Sequence, residues 1–211
     1  MAVLFQQHSM QTLPVSASAS LIYRPVSWVE RLPLGGMFDL VRPLEVELGC
    51  GDGSFMARWA ARSPEQNFLG VERLLGRLRK LDRKARRSSL KNLRLMRIEA
   101  AYFLEFLLPV ASTTALHLYF PDPWPKRKHR KNRLVNERFP ELVARVLVPD
   151  GVCYLRTDDE DYFAQMLEMF RADTRFVPAE TPAELADVIT DFERGFQARG
   201  VPTNRAAYRL S

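Results

Sequence analysis

Cysteine is nearly absent. The 211-residue chain has two, Cys50 and Cys153, far apart and without metal-ligand spacing. That argues against a disulfide framework and a zinc site, and two buried thiols are the expectation. Histidine occurs three times and forms no evident proton relay. No apolar run approaches the roughly 20 residues that cross a bilayer. The first ten residues, MAVLFQQHSM, lack the basic start and long apolar stretch of a secretory signal. A cytoplasmic protein with no membrane attachment and no metal follows as the expectation. Internal repeats are lacking as well. What is there, 46% hydrophobic and 27% charged residues, is the composition of an ordinary globular chain, not a collagenous, disordered or membrane-embedded one. At about 150 residues per domain, the length gives one domain with an extension.

Positive charge is unevenly placed. Between Arg77 and Lys91 stand eight Lys/Arg and one acid, Asp82, and between Lys126 and Arg133 stand six Lys/Arg and no acid. These 23 residues carry 14 of the 31 basic side chains and a net charge of +13, leaving −7 on the rest. Concentrated cations on an otherwise acidic body fit a polyanion partner, because neutralised phosphates release counterions. For the 77–91 run alone, a solvated helix face is an equal reading. Two clusters together favour nucleic acid.

Residues 1–20, ending in SASAS, read as a flexible leader, and 21–43, with three prolines and Gly35-Gly36, as an ordered arm or short helix. The main domain then spans 44–211. Strand-like runs at Leu44–Leu48, Asn67–Val71, Leu93–Ile98, Ala115–Phe120 and Val152–Arg156 alternate with helical patterns near 54–62, 73–88, 102–108, 134–147 and 159–171. Pro149-Asp150-Gly151 is turn chemistry before the fifth strand. A helical tail over 182–197, a break at Gly200 and Pro202, and a last strand near Ala206–Leu210 follow. Such alternation predicts an α/β fold: a parallel sheet with helices on both faces and ligand sites beyond the carboxyl ends of its strands.

The first strand runs into Glu47-Leu48-Gly49-Cys50-Gly51-Asp52-Gly53, E-x-G-x-G-x-G opening a helix. Glycines there let backbone approach a ligand, and the helix start offers free amides. The dinucleotide fingerprint needs a further glycine where Ser54 stands, which disfavours a nicotinamide-dependent dehydrogenase. Glu72 closes the second strand, 19 residues after Gly53, where a carboxylate can accept from both ribose hydroxyls; a helix-start acid is the bland alternative. Glu99 closes the third strand, within reach of an adenine amino group or simply solvated. Pro121-Asp122-Pro123-Trp124-Pro125-Lys126 follows the fourth strand. Its three prolines are expected to hold the chain extended, with Asp122 off the strand end and Trp124 beside it as a stacking surface for a purine, the alternative being a tryptophan tucked into the core. Arg156-Thr157-Asp158 and Thr190-Asp191-Phe192-Glu193 are further candidates, each also readable as a cap or surface acid.

In this order, from about Leu44 to Leu210, the segments resemble the family of tRNA methyltransferases that modify N7 of a guanine in the tRNA variable loop. The resemblance implies a Rossmann-like class I methyltransferase with a mostly parallel seven-stranded sheet, S-adenosyl-L-methionine as cofactor and tRNA as partner. Carried over, Glu47, Glu72, Glu99 and Asp122, with Gly49, Gly51 and Gly53, are implied cofactor contacts, and Asp122 is also the implied active-site residue. Lys126, Asp158 and Thr190, Asp191, Phe192 and Glu193 are implied RNA contacts. The family usually has Asp or Asn where Glu99 stands. A methyltransferase needs no catalytic Cys or His, since the cofactor carries the activated methyl group. Methylation of an exocyclic base amine is the alternative reaction, although the D-P-P-aromatic loop of such enzymes is broken here by Trp124. An RNA-binding protein with a dead cofactor fold would require a degraded glycine turn, and the turn is intact. Monomer and homodimer fit the sequence equally.

Overall fold

The computed structural model describes residues 20–211; the expected leader, apart from Ser20, lies outside the described residues. Seven strands form one sheet: β1 (Leu44–Leu48), β2 (Asn67–Glu72), β3 (Leu93–Arg97), β4 (Thr113–Tyr119), β5 (Leu147–Thr157), β6 (Phe176–Ala179) and β7 (Asn204–Leu210). Their order is β3-β2-β1-β4-β5-β7-β6. The first five pair in parallel, while β7 is antiparallel to both β5 and β6. The mostly parallel seven-stranded sheet expected above is therefore present, with two antiparallel pairs at one end. Strand β2, covered on both faces, reads as a near-continuous apolar run over Phe68–Val71, while β1 keeps two buried glutamates, Glu45 and Glu47, between its apolar residues.

Helices cover both faces: α1 (Met56–Arg62), α2 (Leu75–Arg87), α3 (Ala100–Tyr102, running on as a π-helical turn over Phe103–Leu107), α4 (Phe139–Val146), α5 (Glu160–Ala172), α6 (Ala183–Ala186) and α7 (Asp191–Gln197). One core gathers Val46, Leu48, Phe103, Leu116, Phe139 and Phe170. The other gathers Phe55, Met56, Phe68, Leu78 and Leu81. Both cysteines are buried and free. Burial raises both thiols well above their ordinary range.

Several expected elements are corrected. The pattern over 134–147 becomes a helix only from Phe139, because Val135 first donates its amide to the Tyr162 hydroxyl (2.9 Å). The 149–151 turn lies inside β5 as a bulge, with Asp150 at φ 62°. The single tail helix is two short ones. Where they part, Arg156 draws the carbonyls of Leu185 in α6 (2.8 Å) and of Val188 just beyond it (2.9 Å) to its guanidinium, and a capping box joining Thr190 and Glu193 starts α7. Strand β6 has no counterpart in the sequence reading.

The 21–43 segment lies along β3. Leu95 donates to the Leu21 carbonyl (2.9 Å) and Tyr23 donates to the Leu95 carbonyl (2.7 Å). Leu32 and Met37 join the first core. Its only helix is a 3-10 turn over Leu34–Gly36.

Candidate active site

Parallel pairing of β1, β2, β3, β4 and β5 puts their carboxyl ends on one edge, and the candidate residues collect there. Glycines 49, 51 and 53 all take positive φ (74°, 55° and 74°). At Gly53 an added Cβ would lie 2.0 Å from Leu81 Cδ1 of α2, whereas at Gly49 nothing lies within 4 Å. Gly53→Ala is therefore expected to destabilise the protein by about 2–4 kcal/mol, left-handed backbone and overpacking combined, and Gly49→Ala by about 1–2 kcal/mol from backbone alone. Urea unfolding of the two variants measures the difference; equal losses would show that Leu81 gives way.

Two adjoining cavities open at this edge. One, of about 260 Å³, is lined by Gly49, Glu72, Arg77, Glu99, Asp122 and Trp124 among others. Its neighbour, of about 350 Å³, is lined by Glu47, Gly51, Asp52, Asp122, Asp158 and Phe192 among others. Gly49, Arg77, Tyr119, Phe120, Pro121 and Asp122 belong to both walls. The exposed carboxylate of Asp122 thus stands at the partition. Phe120 (φ 51°) and Trp124 (φ 44°) are both left-handed. The loop accordingly kinks at Trp124 where an extended run was expected. The kink leaves Trp124 37% exposed and lining the smaller cavity, which rules out the reading that tucks it into the core.

Glu72 is buried at the end of β2. One oxygen accepts from the Gly51 amide (3.1 Å) and the other from the Leu74 amide (2.7 Å), so the acid ties the glycine turn to the start of α2. Glu99 is exposed and caps α3, accepting from the amides of Ala101 (3.0 Å) and Tyr102 (2.8 Å). Glu47 differs from both. It is 4% exposed, lines the larger cavity, and its Oε2 meets no hydrogen-bond donor among the described residues. Burial, with smaller contributions from Asp52 and Glu72 against the opposing pull of Arg156, raises its carboxyl to about 8. A buried carboxyl with an orphaned oxygen, on a residue that lines a cavity, suits a cationic ligand.

Beneath the cavities, Glu45 Oε2 accepts from Trp59 Nε1 (2.8 Å) and pairs with His117 Nε2 (2.8 Å), while His117 Nδ1 pairs with the Tyr119 hydroxyl (2.9 Å). This ladder fixes Tyr119, whose ring lies 4.3 Å below the Arg156 guanidinium. Arg156, 2% exposed, also binds Glu193 (3.2 Å).

The expected RNA contacts divide. Asp158 and Thr190 line the larger cavity, as does Phe192, which is 52% exposed and stacked on Phe120 at 6.4 Å. Asp191 lies outside it, paired with Arg58 (3.3 Å) and Arg194 (2.9 Å), and its amide donates to Ser54 Oγ (3.0 Å). Ser54, which breaks the dinucleotide fingerprint, thus docks α7 onto the glycine turn. Glu193 is a correction: it is fully buried, and its carboxylate is taken by Arg156, Arg205 and the Thr190 amide. The T-x-x-E spacing of a capping box was the signal for this. Lys126 is exposed and lines neither cavity; it precedes a 3-10 helix over Arg127–Asn132. The basic run is also corrected. Arg133 is 2% exposed and donates to the Pro123 carbonyl (2.7 Å), Gln165 (2.8 Å) and Asp161 (2.6 Å), and Arg130 pairs with Asp161 (2.9 Å). Arg77, Asn132 and Tyr119 line the cavities without having been picked out. Arg77 was hidden among like charges, and Tyr119 looked like strand core.

The profile of a family described as "Putative methyltransferase" matches residues 41–206. In fold the chain is similar to a 30S ribosomal A1408 methyltransferase from an uncultured bacterium, with a TM-score of 0.62 at 15% identity over 89% of this chain and 96% of that one. Sheet order, glycine turn and strand-end acids thus define a methyltransferase of Rossmann-like fold. The chain is 39% identical to the tRNA (guanine-N(7)-)-methyltransferase of Rubrobacter xylanophilus over 184 residues, 86% of this chain and 82% of the relative. It is 34% identical to that of Halorhodospira halophila over 188 residues, 85% of this chain and 80% of the relative. The chain belongs to the tRNA (guanine-N(7)-)-methyltransferase family, as its motifs imply. Among the described residues, no helix is long and apolar enough to cross a membrane, and no group of three or more His, Cys, Asp or Glu is placed to hold a metal ion.

Proposed function

We propose that the two adjoining cavities together form one active site, which transfers a methyl group from S-adenosyl-L-methionine to N7 of a guanine in the variable loop of tRNA. The observation that carries this reading is Asp122, which stands in the wall common to both cavities. When bound, the cofactor supplies an electrophilic methyl group on a cationic sulfur. Its cationic part fits the orphaned Oε2 of Glu47, and its ribose fits Glu72, whose carboxylate exchanges amide donors for hydroxyls. Glu99 offers a carboxylate at the adenine end, at the expense of its cap on α3. The glycine turn brings backbone alone to the ligand.

On the acceptor side, guanine N7 has a lone pair and no proton, so the protein need not supply a base. Trp124 offers a face for the base to stack on, and Asp122 provides negative charge where the methylated base becomes positive. Asp158 and Phe192, across the larger cavity, hold the acceptor in line. Lys126 and the exposed cations after it take the flanking phosphates. N7 lies in the deep groove of paired RNA, which favours a splayed loop base as target. The protein shares the cytoplasm with this substrate.

Incubation with unmodified tRNA and a methyl-labelled cofactor, followed by mapping of the labelled atom, tests the assignment; label on an exocyclic amine would overturn it. Replacing Lys126, Arg127, Lys128 and Lys131 together with alanine should weaken tRNA binding at least tenfold and lower the slope of log K against log salt by about 3, at roughly 0.7–0.9 per lost phosphate contact. Filter binding at a series of salt concentrations measures it, and an unchanged slope would remove this loop from the RNA surface.

A further inference from the structure

Helix α2 carries a feature that the active site does not use. Its buried stripe is Leu78, Leu81, Asp82 and Ala85, while Arg79, Lys80, Arg83 and Arg87 are exposed. The one acid in the run neutralises none of them on the outer face. Asp82 is buried and turned toward the arm, accepting from the Leu21 amide (2.8 Å) and Ser20 Oγ (3.3 Å) and pairing with Arg86 (3.3 Å). Among the described residues no carboxylate pairs with Arg79, Lys80, Arg83 or Arg87.

Helix physics does not favour this pattern in the protein alone. Arg79 and Arg83, Lys80 and Lys84, and Arg83 and Arg87 are like charges four residues apart, each pair unfavourable by a few tenths of a kcal/mol. Cations near the C-terminal end suit the helix dipole, but Arg77 stands in the first turn, where the dipole opposes it and where no acid occurs. A face made merely for solvation would mix signs. The placement matters as well: Arg77 reaches both cavities, while Asn132 and Leu134 at the end of the basic loop line the smaller one. From Arg77 the row runs about 15 Å along the helix to Arg87, at 1.5 Å per residue.

We infer that the outer face of α2 is a second RNA-binding surface, which takes the sugar-phosphate backbone of the tRNA body outside the target loop; this rests on the tRNA reading above. Arg79, Lys80, Arg83 and Arg87 contact phosphates and read no bases, so they add affinity without adding to the chemical step.

The test is the variant Arg79→Gln, Lys80→Gln, Arg83→Gln, Arg87→Gln, which keeps helix-forming side chains. On intact tRNA, KM and Kd should rise at least tenfold and the salt slope should fall by about 3. Cofactor affinity, kcat at saturating tRNA, and KM on a short hairpin carrying only the target loop should stay within twofold. Removal of like charges should leave thermal stability no lower than in the parent. The companion variant with lysine at all four positions should retain tight binding and the parent salt slope. Parent-like Kd and slope in the glutamine variant would overturn the inference, as would an equal loss on the hairpin, which would assign the surface to the target loop. If the parent protein leaves N7 of tRNA unmethylated, the functional reading fails by itself. The salt slope of tRNA binding, which needs no turnover, still decides the role of α2.

Discussion

Asp122→Ala is expected to slow methyl transfer roughly 100- to 1,000-fold, the range for losing one preorganised electrostatic partner of a developing charge, while cofactor affinity falls less than about tenfold. The separation follows from position. Asp122 borders both cavities, but donor binding also has Glu47, Glu72 and the glycine turn, whereas charge developing on the acceptor base meets one carboxylate at the partition. No described group donates a hydrogen bond to Asp122, and its side chain is exposed, so its removal should leave the fold intact. Single-turnover transfer to unmodified tRNA, alongside equilibrium binding of the cofactor, separates the two effects. Turnover unchanged by the substitution would take Asp122 out of the active site.

Glu47→Gln should have the second-largest effect, with the opposite sign on stability and on binding. In the ligand-free protein, burial raises the carboxyl from 4.5 to about 8. Below 4.5 it is protonated in folded and unfolded chains alike. Between 4.5 and about 8 the unfolded chain has released a proton that the folded protein still holds. Stability therefore falls as pH rises across that window, by up to a few kcal/mol, and the loss is complete above about 8. Glutamine has no such proton, so the variant should lack this component of the pH profile and resist urea better than the parent above pH 8.

Cofactor binding should run the other way. A cation beside the orphaned oxygen favours the carboxylate, so the parent should release a proton on binding, with affinity rising with pH up to about 8. Loss of one partner from a buried charge pair costs about 2–5 kcal/mol, roughly 30-fold or more in Kd. Calorimetry in buffers of differing ionisation enthalpy measures affinity and proton release together. Equal Kd values at pH 8 for parent and variant, with no proton released by the parent, would exclude Glu47 from the cofactor site.

The legible parts of the fold were those whose burial is written in local composition. Strand β2 states its burial on both faces directly in Phe68-Leu69-Gly70-Val71, whereas in β1 and β4 the apolar residues Val46, Leu48, Leu116 and Leu118 alternate with the buried polar residues Glu45, Glu47 and His117. Strand β6 was illegible because four residues, one of them Pro178, carry too little periodicity, and its place depends on antiparallel pairing with β7. The split between α6 and α7 was hidden because its cause, the buried guanidinium of Arg156, lies some 30 positions upstream. At the site, the glycine turn, Glu72 and Asp122 could be placed from strand ends alone. Glu193 and Arg133 could not, since charge suggests a surface and only tertiary contacts show them buried. The partnerless oxygen of Glu47 is likewise a property of packing and leaves no trace in sequence.

The clasp made by Arg133 bears on how far the proline-rich stretch can travel between proteins. Its guanidinium holds the Pro123 carbonyl with one nitrogen while two others grip Asp161 and Gln165 on α5. The left-handed turn at Trp124 follows directly on the carbonyl so held, and tryptophan does not prefer such a backbone by itself. Residues 121–126 grafted onto another sheet would bring the right letters and the wrong shape. The heritable unit is the stretch together with an arginine ten positions after Pro123 and a helix begun some 30 positions further on, and whoever redesigns this enzyme must move all three at once.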